Sequence, residues 1–180
     1  MRNSVEQASA LLIQCFQNGG KLLLCGNGGS AADCAHIAGE LCKGFLLARA
    51  PEQDFVDAVG EPWAARLQRG LPAIDMTSAN ALMTAIVNDI GGEDIFAQQV
   101  MAYGKPGDVL MGLSTSGNAE NVRRAMLVAR ARGLSTIAMT GESGGKLADI
   151  ADLLLNVQQQ STHLVQQQHM EIYHQLCILV

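Results

Sequence analysis

Two rhythms of apolar residues alternate along this chain. Short, nearly continuous apolar runs at residues 21–25, 72–77, 108–113, 135–139 and 153–157 are each bounded by glycine, proline or polar residues. Runs of that length and uniformity predict buried parallel strands. Between them apolar positions recur every three or four residues, as with Ala8, Leu11, Leu12 and Cys15 over 5–17, or Val122, Ala125, Met126 and Ala129 over 118–132. That period predicts helices, with others at 79–87, 95–103, 147–151 and 161–180. Strand–helix alternation over the whole length predicts an α/β fold, an open, mostly parallel five-stranded sheet flanked by helices on both faces. One stretch breaks the rhythm. Residues 45–70 are charged and hold two prolines and the single tryptophan, which predicts an inserted surface element with a helix at about 62–69 in an otherwise single domain, 1–180.

At 180 residues and 48% hydrophobic content the chain suffices for one full core. A net charge of −5 and 4% aromatic residues provide neither a basic stripe nor stacking platforms, so no nucleic-acid ligand is expected. With no leader-like opening and no apolar run of bilayer length, the expected setting is cytoplasmic, away from membranes. The five cysteines are odd in number and form no C-x-x-C pair, and they read as reduced, mostly buried thiols. Cys34 sits near a helix start, where a thiol can be activated, but no base lies beside it in sequence, so core packing is the expected role.

The most informative stretch is Gly26-Asn27-Gly28-Gly29-Ser30, between the first strand and a helix. Glycines free the backbone to turn its N–H groups outward, and a helix start attracts an anion. The spacing matches neither a dinucleotide fingerprint nor a nucleotide P-loop, so another phosphorylated small molecule is favoured. His36 and Glu40, four residues apart on that helix, share one face about a turn above the anion. On spacing alone the reading as a surface pair that supports the helix is the favoured one. Ser114-Thr115-Ser116-Gly117-Asn118 repeats the strand–turn–helix logic, and its hydroxyls suit a sugar phosphate, although Ser116 or Asn118 could simply cap a helix. Ligands of such sheets bind beyond the carboxyl ends of the strands, where both turns point. On the closing helix Gln166 and His174 are eight residues apart and can share a face, with His169 between them. Two nitrogens and two oxygens from His36, Glu40, Gln166 and His174 would suit zinc, but spacing does not join the two helices.

The ordered set G-N-G-G-S, His36, Glu40, Asn88-Asp89, S-T-S-G-N, T-G-x-x-G-G and Gln166-x7-His174 resembles the SIS (sugar isomerase) domain, and more narrowly the bacterial phosphoheptose isomerases. The resemblance covers nearly everything except 45–70. It implies a flavodoxin-like three-layer sandwich and an aldose–ketose isomerase converting sedoheptulose 7-phosphate to D-glycero-D-manno-heptose 7-phosphate through a cis-enediol. It further implies Asn27, Gly28, Gly29, Ser30, Glu40, Asn88, Asp89, Ser114, Thr115, Ser116 and Gln166 as substrate-binding residues, with Glu40 and His174 as the catalytic pair. His36, Glu40, Gln166 and His174 would hold one zinc ion per subunit, in a homotetramer with interfacial active sites. Three positions depart from the family pattern: Ala119 for a serine, Gly44 for an arginine and His163 near an acidic residue. The other implied reading is a non-catalytic SIS regulator or adaptor, such as one associated with the replication initiator.

Overall fold

In a computed structural model, which describes residues 2–180, five parallel strands form one sheet in the order β2-β1-β3-β4-β5. They are β1 (Leu22–Gly26), β2 (Ala73–Asp75), β3 (Val109–Ser114), β4 (Ser135–Thr140) and β5 (Leu153–Asn156). The chain reverses its direction of travel across the sheet between β1 and β3. At such a switch point the following loops diverge and leave a crevice.

Alternation along the strands divides the core in two. Leu22 and Leu24 of β1, Met111 and Leu113 of β3, and Ile137 and Met139 of β4 face one side. They pack against α1 (Arg2–Gln17), α2 (Gly29–Cys42) and α7 (Thr162–Leu179). Leu23, Cys25, Leu110 and Ala138 face the other side, against α4 (Asn80–Asp89), α5 (Ile95–Tyr103) and α6 (Glu120–Ala131). Strands covered on both faces need apolar residues at every position, which explains the uninterrupted runs in the sequence. At the opposite end from the crevice, buried Asp108 accepts from the Lys21 N–H at 2.9 Å and the Lys105 N–H at 2.8 Å, and pairs with Lys21 Nζ at 2.6 Å. One carboxylate thus fixes the start of β1 beside β3.

The segment 45–70 leaves and returns at the C-terminal end of α2. The Gly44 N–H donates to Gln68 Oε1 at 2.6 Å, and the Leu71 N–H to the Leu41 carbonyl at 2.8 Å. Its helix is α3 (Gln53–Val59), closed by Gly60 in the left-handed conformation, and not the 62–69 span expected from sequence. There only Ala64–Arg66 form a 3₁₀ turn, because Leu67 is extended and the Arg69 N–H pairs across the segment with the Arg49 carbonyl. The expected 147–151 helix is likewise reduced to a 3₁₀ turn at Gly145–Leu147.

Candidate active site

The glycine turn after β1 and the serine turn after β3 meet where the sheet order switches. Asn27, Gly28, Gly29, Ser30, Ser114, Thr115, Ser116, Ala119, Thr162 and Gln166 line a cleft of about 370 Å³ there. Gly28 takes φ +56°, ψ −121°, a conformation essentially restricted to glycine, and opens α2 without a side-chain cap. The glycine turn itself takes up the first-turn N–H groups of α2: the Ser30 N–H donates to the Asn27 carbonyl at 3.0 Å, and the Ala31 and Ala32 N–H groups to the Gly28 carbonyl at 3.0 and 3.3 Å. A Cβ on Gly29 would lie 2.2 Å from Gln166 Nε2, so the missing side chain is what admits the amide of α7. The serine turn is closed by the Gly117 N–H donating to the Ser114 carbonyl at 2.9 Å, and Asn118 serves the turn itself, accepting from the Lys146 N–H at 3.1 Å.

The two turns are tied together by a pair that sequence reading missed. Asn27 and Asn121 exchange amide hydrogen bonds, 2.9 Å in each direction, across 94 residues of chain. No local signal marks Asn121, which reads as an ordinary first-turn residue of α6. Replacing it by alanine is expected to lower the unfolding free energy by about 1 kcal/mol, the usual net value of such hydrogen bonds. The midpoint of a urea titration measures this, and an unmoved midpoint would mean that the pair holds nothing.

Further along α2 lies a second cluster. His36 Nε2 is 3.3 Å from Glu40 Oε1, and Glu40 Oε2 is 3.4 Å from Lys43 Nζ. The His174 ring of α7 meets His36 edge-on at a centroid distance of 5.0 Å, and Phe45 stacks on His174 at 5.5 Å and 22°. Behind His36, the Tyr173 hydroxyl is 2.9 Å from Nδ1 and donates to Asp33 Oδ1 at 3.4 Å. Burial raises the Asp33 carboxyl above its ordinary range, opposed by the Tyr173 hydrogen bond and by His36. Burial likewise pushes the Tyr173 phenol upward, with the Asp33 charge adding to it. Phe45 and Tyr173 were not anticipated; Tyr173 sits at helical spacing among core residues and reads as one of them.

Sequence spacing had placed His36 and Glu40 about one turn from the anion. At 1.5 Å per residue they lie about 9 and 15 Å along α2 from Ser30. The structure therefore joins His36, Glu40 and His174 to one another and Gln166 to the cradle, about 12 Å along α7 from His174. Asn88 and Asp89 are exposed at the end of α4, where Asn88 Nδ2 donates to Asp89 Oδ1 at 2.7 Å, and they do not line the cleft of this chain. His169 is fully buried with Nε2 3.2 Å from the Thr140 carbonyl, a core contact, and burial lowers its pKa. Cys34 is buried too, and desolvation raises its thiol well above the usual range, so it is no nucleophile. The Cys177 thiol is pushed up to about 12 by burial. All five cysteines are free, and only Cys42 is exposed.

Two nitrogens and a carboxylate in one cluster are donors of the kind zinc takes. A spacing of 3.3 Å between His36 Nε2 and Glu40 Oε1 is what two ligands about 2.0–2.1 Å from a tetrahedral ion would show. The set is incomplete as a cage. Among the described residues no group of three or more His, Cys, Asp or Glu side chains is disposed to hold a metal, and the Gln166 amide lies against Gly29.

The SIS domain model matches residues 1–68 and 64–141. The phosphoheptose isomerase of Rhodospirillum rubrum is 41% identical over 177 residues, 98% of this chain and 84% of that protein. The chain belongs to the phosphoheptose isomerase family of SIS-domain proteins. Among solved members, phosphoheptose isomerase GmhA from Neisseria gonorrhoeae superposes with a TM-score of 0.82 at 38% identity, covering 98% of this chain and 84% of that one. A phosphoheptose isomerase from Francisella tularensis gives 0.84 at 33% identity over the same shares. Against the pattern of phosphoheptose isomerases, Ala119 puts a methyl group in the cleft, although its N–H still reaches Ser114 Oγ at 3.4 Å. Gly44 offers its N–H to Gln68 at the root of the 45–70 segment, and His163 is exposed on the first turn of α7.

Proposed function

We infer that this chain is an aldose–ketose isomerase that interconverts sedoheptulose 7-phosphate and D-glycero-D-manno-heptose 7-phosphate. The observation that carries the reading is the grouping of Glu40, His36 and His174 on α2 and α7, well removed from a hydroxyl-lined cradle formed by the start of α2 and the turn after β3. A phosphate held at one end and a base at the other suit a long sugar phosphate better than a triose. Ser30, Ser114, Thr115 and Ser116 would hold the phosphate, while Asn27, Gly28, Gly29 and Gln166 line the path of the sugar.

Glu40 is assigned as the base that takes the C1 proton of the ketose, and His174 as the acid that returns a proton to C2 after the cis-enediol has formed. The O1 proton is lost and O2 gains one, so the change is an internal transfer of two hydrogens with no outside reductant. Phe45 stacked on His174 restricts the ring to one plane, a condition for delivering the proton to one face. A zinc ion, one per subunit, would be held by His36, Glu40 and His174; Gln166, whose amide lies against Gly29, would join them only by turning away from the cradle. When bound, it supplies Lewis-acid polarisation of the carbonyl oxygen.

We further propose a cytoplasmic homotetramer with sites at subunit interfaces. Asn88 and Asp89 lie outside the cleft of their own chain, so a neighbouring copy is the natural recipient of their contacts. The groove between α1 and α7, about 770 Å³, sets Val5, Ile172, Ile178 and Leu179 among glutamine and glutamate side chains and offers a mixed face for such a copy. No helix among the described residues is long and apolar enough to cross a membrane. Incubating the protein with sedoheptulose 7-phosphate in deuterated water should place deuterium at C2 of the aldose product. No exchange with any ketose phosphate would end the enzymatic reading, and light scattering that finds an active monomer would end the interfacial one.

A further inference from the structure

Tyr173 is only 1% exposed, in a cluster where phenylalanine would fill the same space without a hydroxyl to satisfy. Its hydroxyl instead stands between two polar groups of α2, Asp33 Oδ1 at 3.4 Å and His36 Nδ1 at 2.9 Å. One hydroxyl carries one proton. Asp33 when ionised can only accept, so the arrangement that satisfies it sends the Tyr173 proton to Oδ1 and leaves the phenol oxygen to accept from Nδ1–H of His36. The tautomer follows from that direction: with the proton on Nδ1, the Nε2 lone pair points at Glu40 Oε1, 3.3 Å away. Two acceptors facing each other at that distance require a positive centre between them, a proton or a divalent cation.

We propose that Tyr173 is a positioning residue, whose buried hydroxyl, backed by Asp33, holds the His36 ring with Nδ1–H turned inward and Nε2 turned to Glu40. The inference rests on the site reading above and adds to it the group that orients the site from behind. Asp33 is itself buried, and its Oδ2 has no hydrogen-bond partner. A carboxylate kept at that desolvation cost is poor value as a stabilising contact and good value as the terminus of a directional chain. The ring is also gripped edge-on by His174, and Tyr173 meets it edge-on at 5.3 Å, so removing the hydroxyl leaves the packing in place while releasing the orientation.

The test is Tyr173→Phe, compared with the unaltered protein in three measurements: zinc affinity by competition with a chelator, kcat and KM on sedoheptulose 7-phosphate, and thermal unfolding of the metal-free protein. Expected are a 10- to 100-fold loss of zinc affinity, in the range typical of lost outer-shell partners, and a kcat about 10-fold lower with KM within about twofold. The unfolding temperature should hardly move. Zinc affinity and kcat both within twofold of the unaltered protein would overturn the proposal, as would a lowered unfolding temperature with zinc affinity intact. Should Tyr173→Phe fail to fold, Asp33→Leu, which removes the acceptor behind the hydroxyl, is read in the same way and with the same criteria. An unaltered protein that neither binds zinc nor turns over would overturn the site reading and this inference with it. An unaltered protein that does both, matched by its Tyr173→Phe variant, overturns this inference alone.

Discussion

Glu40→Gln is expected to lower kcat about 10²–10⁴-fold while leaving KM for the sugar phosphate nearly unchanged, because a positioned base contributes that much and the amide cannot accept the C1 proton. The substitution keeps the length and shape of a side chain that is 16% exposed, so the helix and its packing should survive. It removes the charge that faces His36 Nε2 at 3.3 Å and Lys43 Nζ at 3.4 Å. Two losses are therefore combined, that of a base and that of an anionic donor to any cation in the cluster. Measuring bound zinc beside the deuterium exchange separates them: a variant that keeps its zinc and loses exchange has lost the base. A variant retaining more than a tenth of the turnover would remove Glu40 from the chemistry. Retention of full cellular function by the same variant would favour a non-catalytic SIS module, in which the cradle senses a sugar phosphate and the carboxylate is incidental.

How much of this could be read in the chain depends on how local each feature is. The strands were legible because burial on both faces demands uninterrupted apolar runs such as Leu22-Leu23-Leu24-Cys25. Their spatial order was not, since the placement of β1 beside both β2 and β3 is decided by packing between distant segments. The cradle was legible because glycines and serines between a strand and a helix have local conformational reasons to be there. His36 and Glu40 were visible as neighbours at helical spacing, yet their distance from the anion was misjudged, because sharing a face does not mean sharing a level. The same error joined Gln166 to His174; the structure puts the first at Gly29 and the second at His36. Tyr173, Phe45 and Asn121 were missed for one common reason. Each acts through a partner remote in sequence, and each has a plausible ordinary role where it stands. The 45–70 helix was misplaced because the span after Pro62 reads as a helix start, while the Arg69–Arg49 backbone pairing that draws it into extended form is not local.

Gly117→Ala should be the most damaging small substitution in the cradle, with an expected loss of about 2–5 kcal/mol of stability. Two costs add. Gly117 takes φ +67°, where an L side chain costs about 1–2 kcal/mol. The new Cβ would also stand 2.0 Å from the Gly144 carbonyl oxygen and 2.8 Å from the Gly145 nitrogen. Those are backbone atoms of the turn after β4, which cannot swing aside as a side chain would, and overpacking of this kind costs about 1–3 kcal/mol. Separating the turns also breaks the hydrogen bond from the Leu147 N–H to the Gly117 carbonyl, 3.0 Å long, that locks them together. For a chain of this size the melting temperature should fall by about 5–15 °C. Gly19→Ala is the control: φ is +73° there with nothing within 4 Å of the added carbon, so only the conformational cost of about 1–2 kcal/mol applies. Function should follow the geometry. Moving Ser114, Thr115 and Ser116 relative to Ser30 weakens phosphate binding before it touches Glu40 or His174, so KM should rise several-fold with kcat nearly kept at temperatures where the variant is folded. Equal melting temperatures for the two alanine variants would mean that the turn after β4 does not brace the serine turn. A kcat that fell with KM unchanged would place the serine turn in the chemistry, and no longer only at the phosphate.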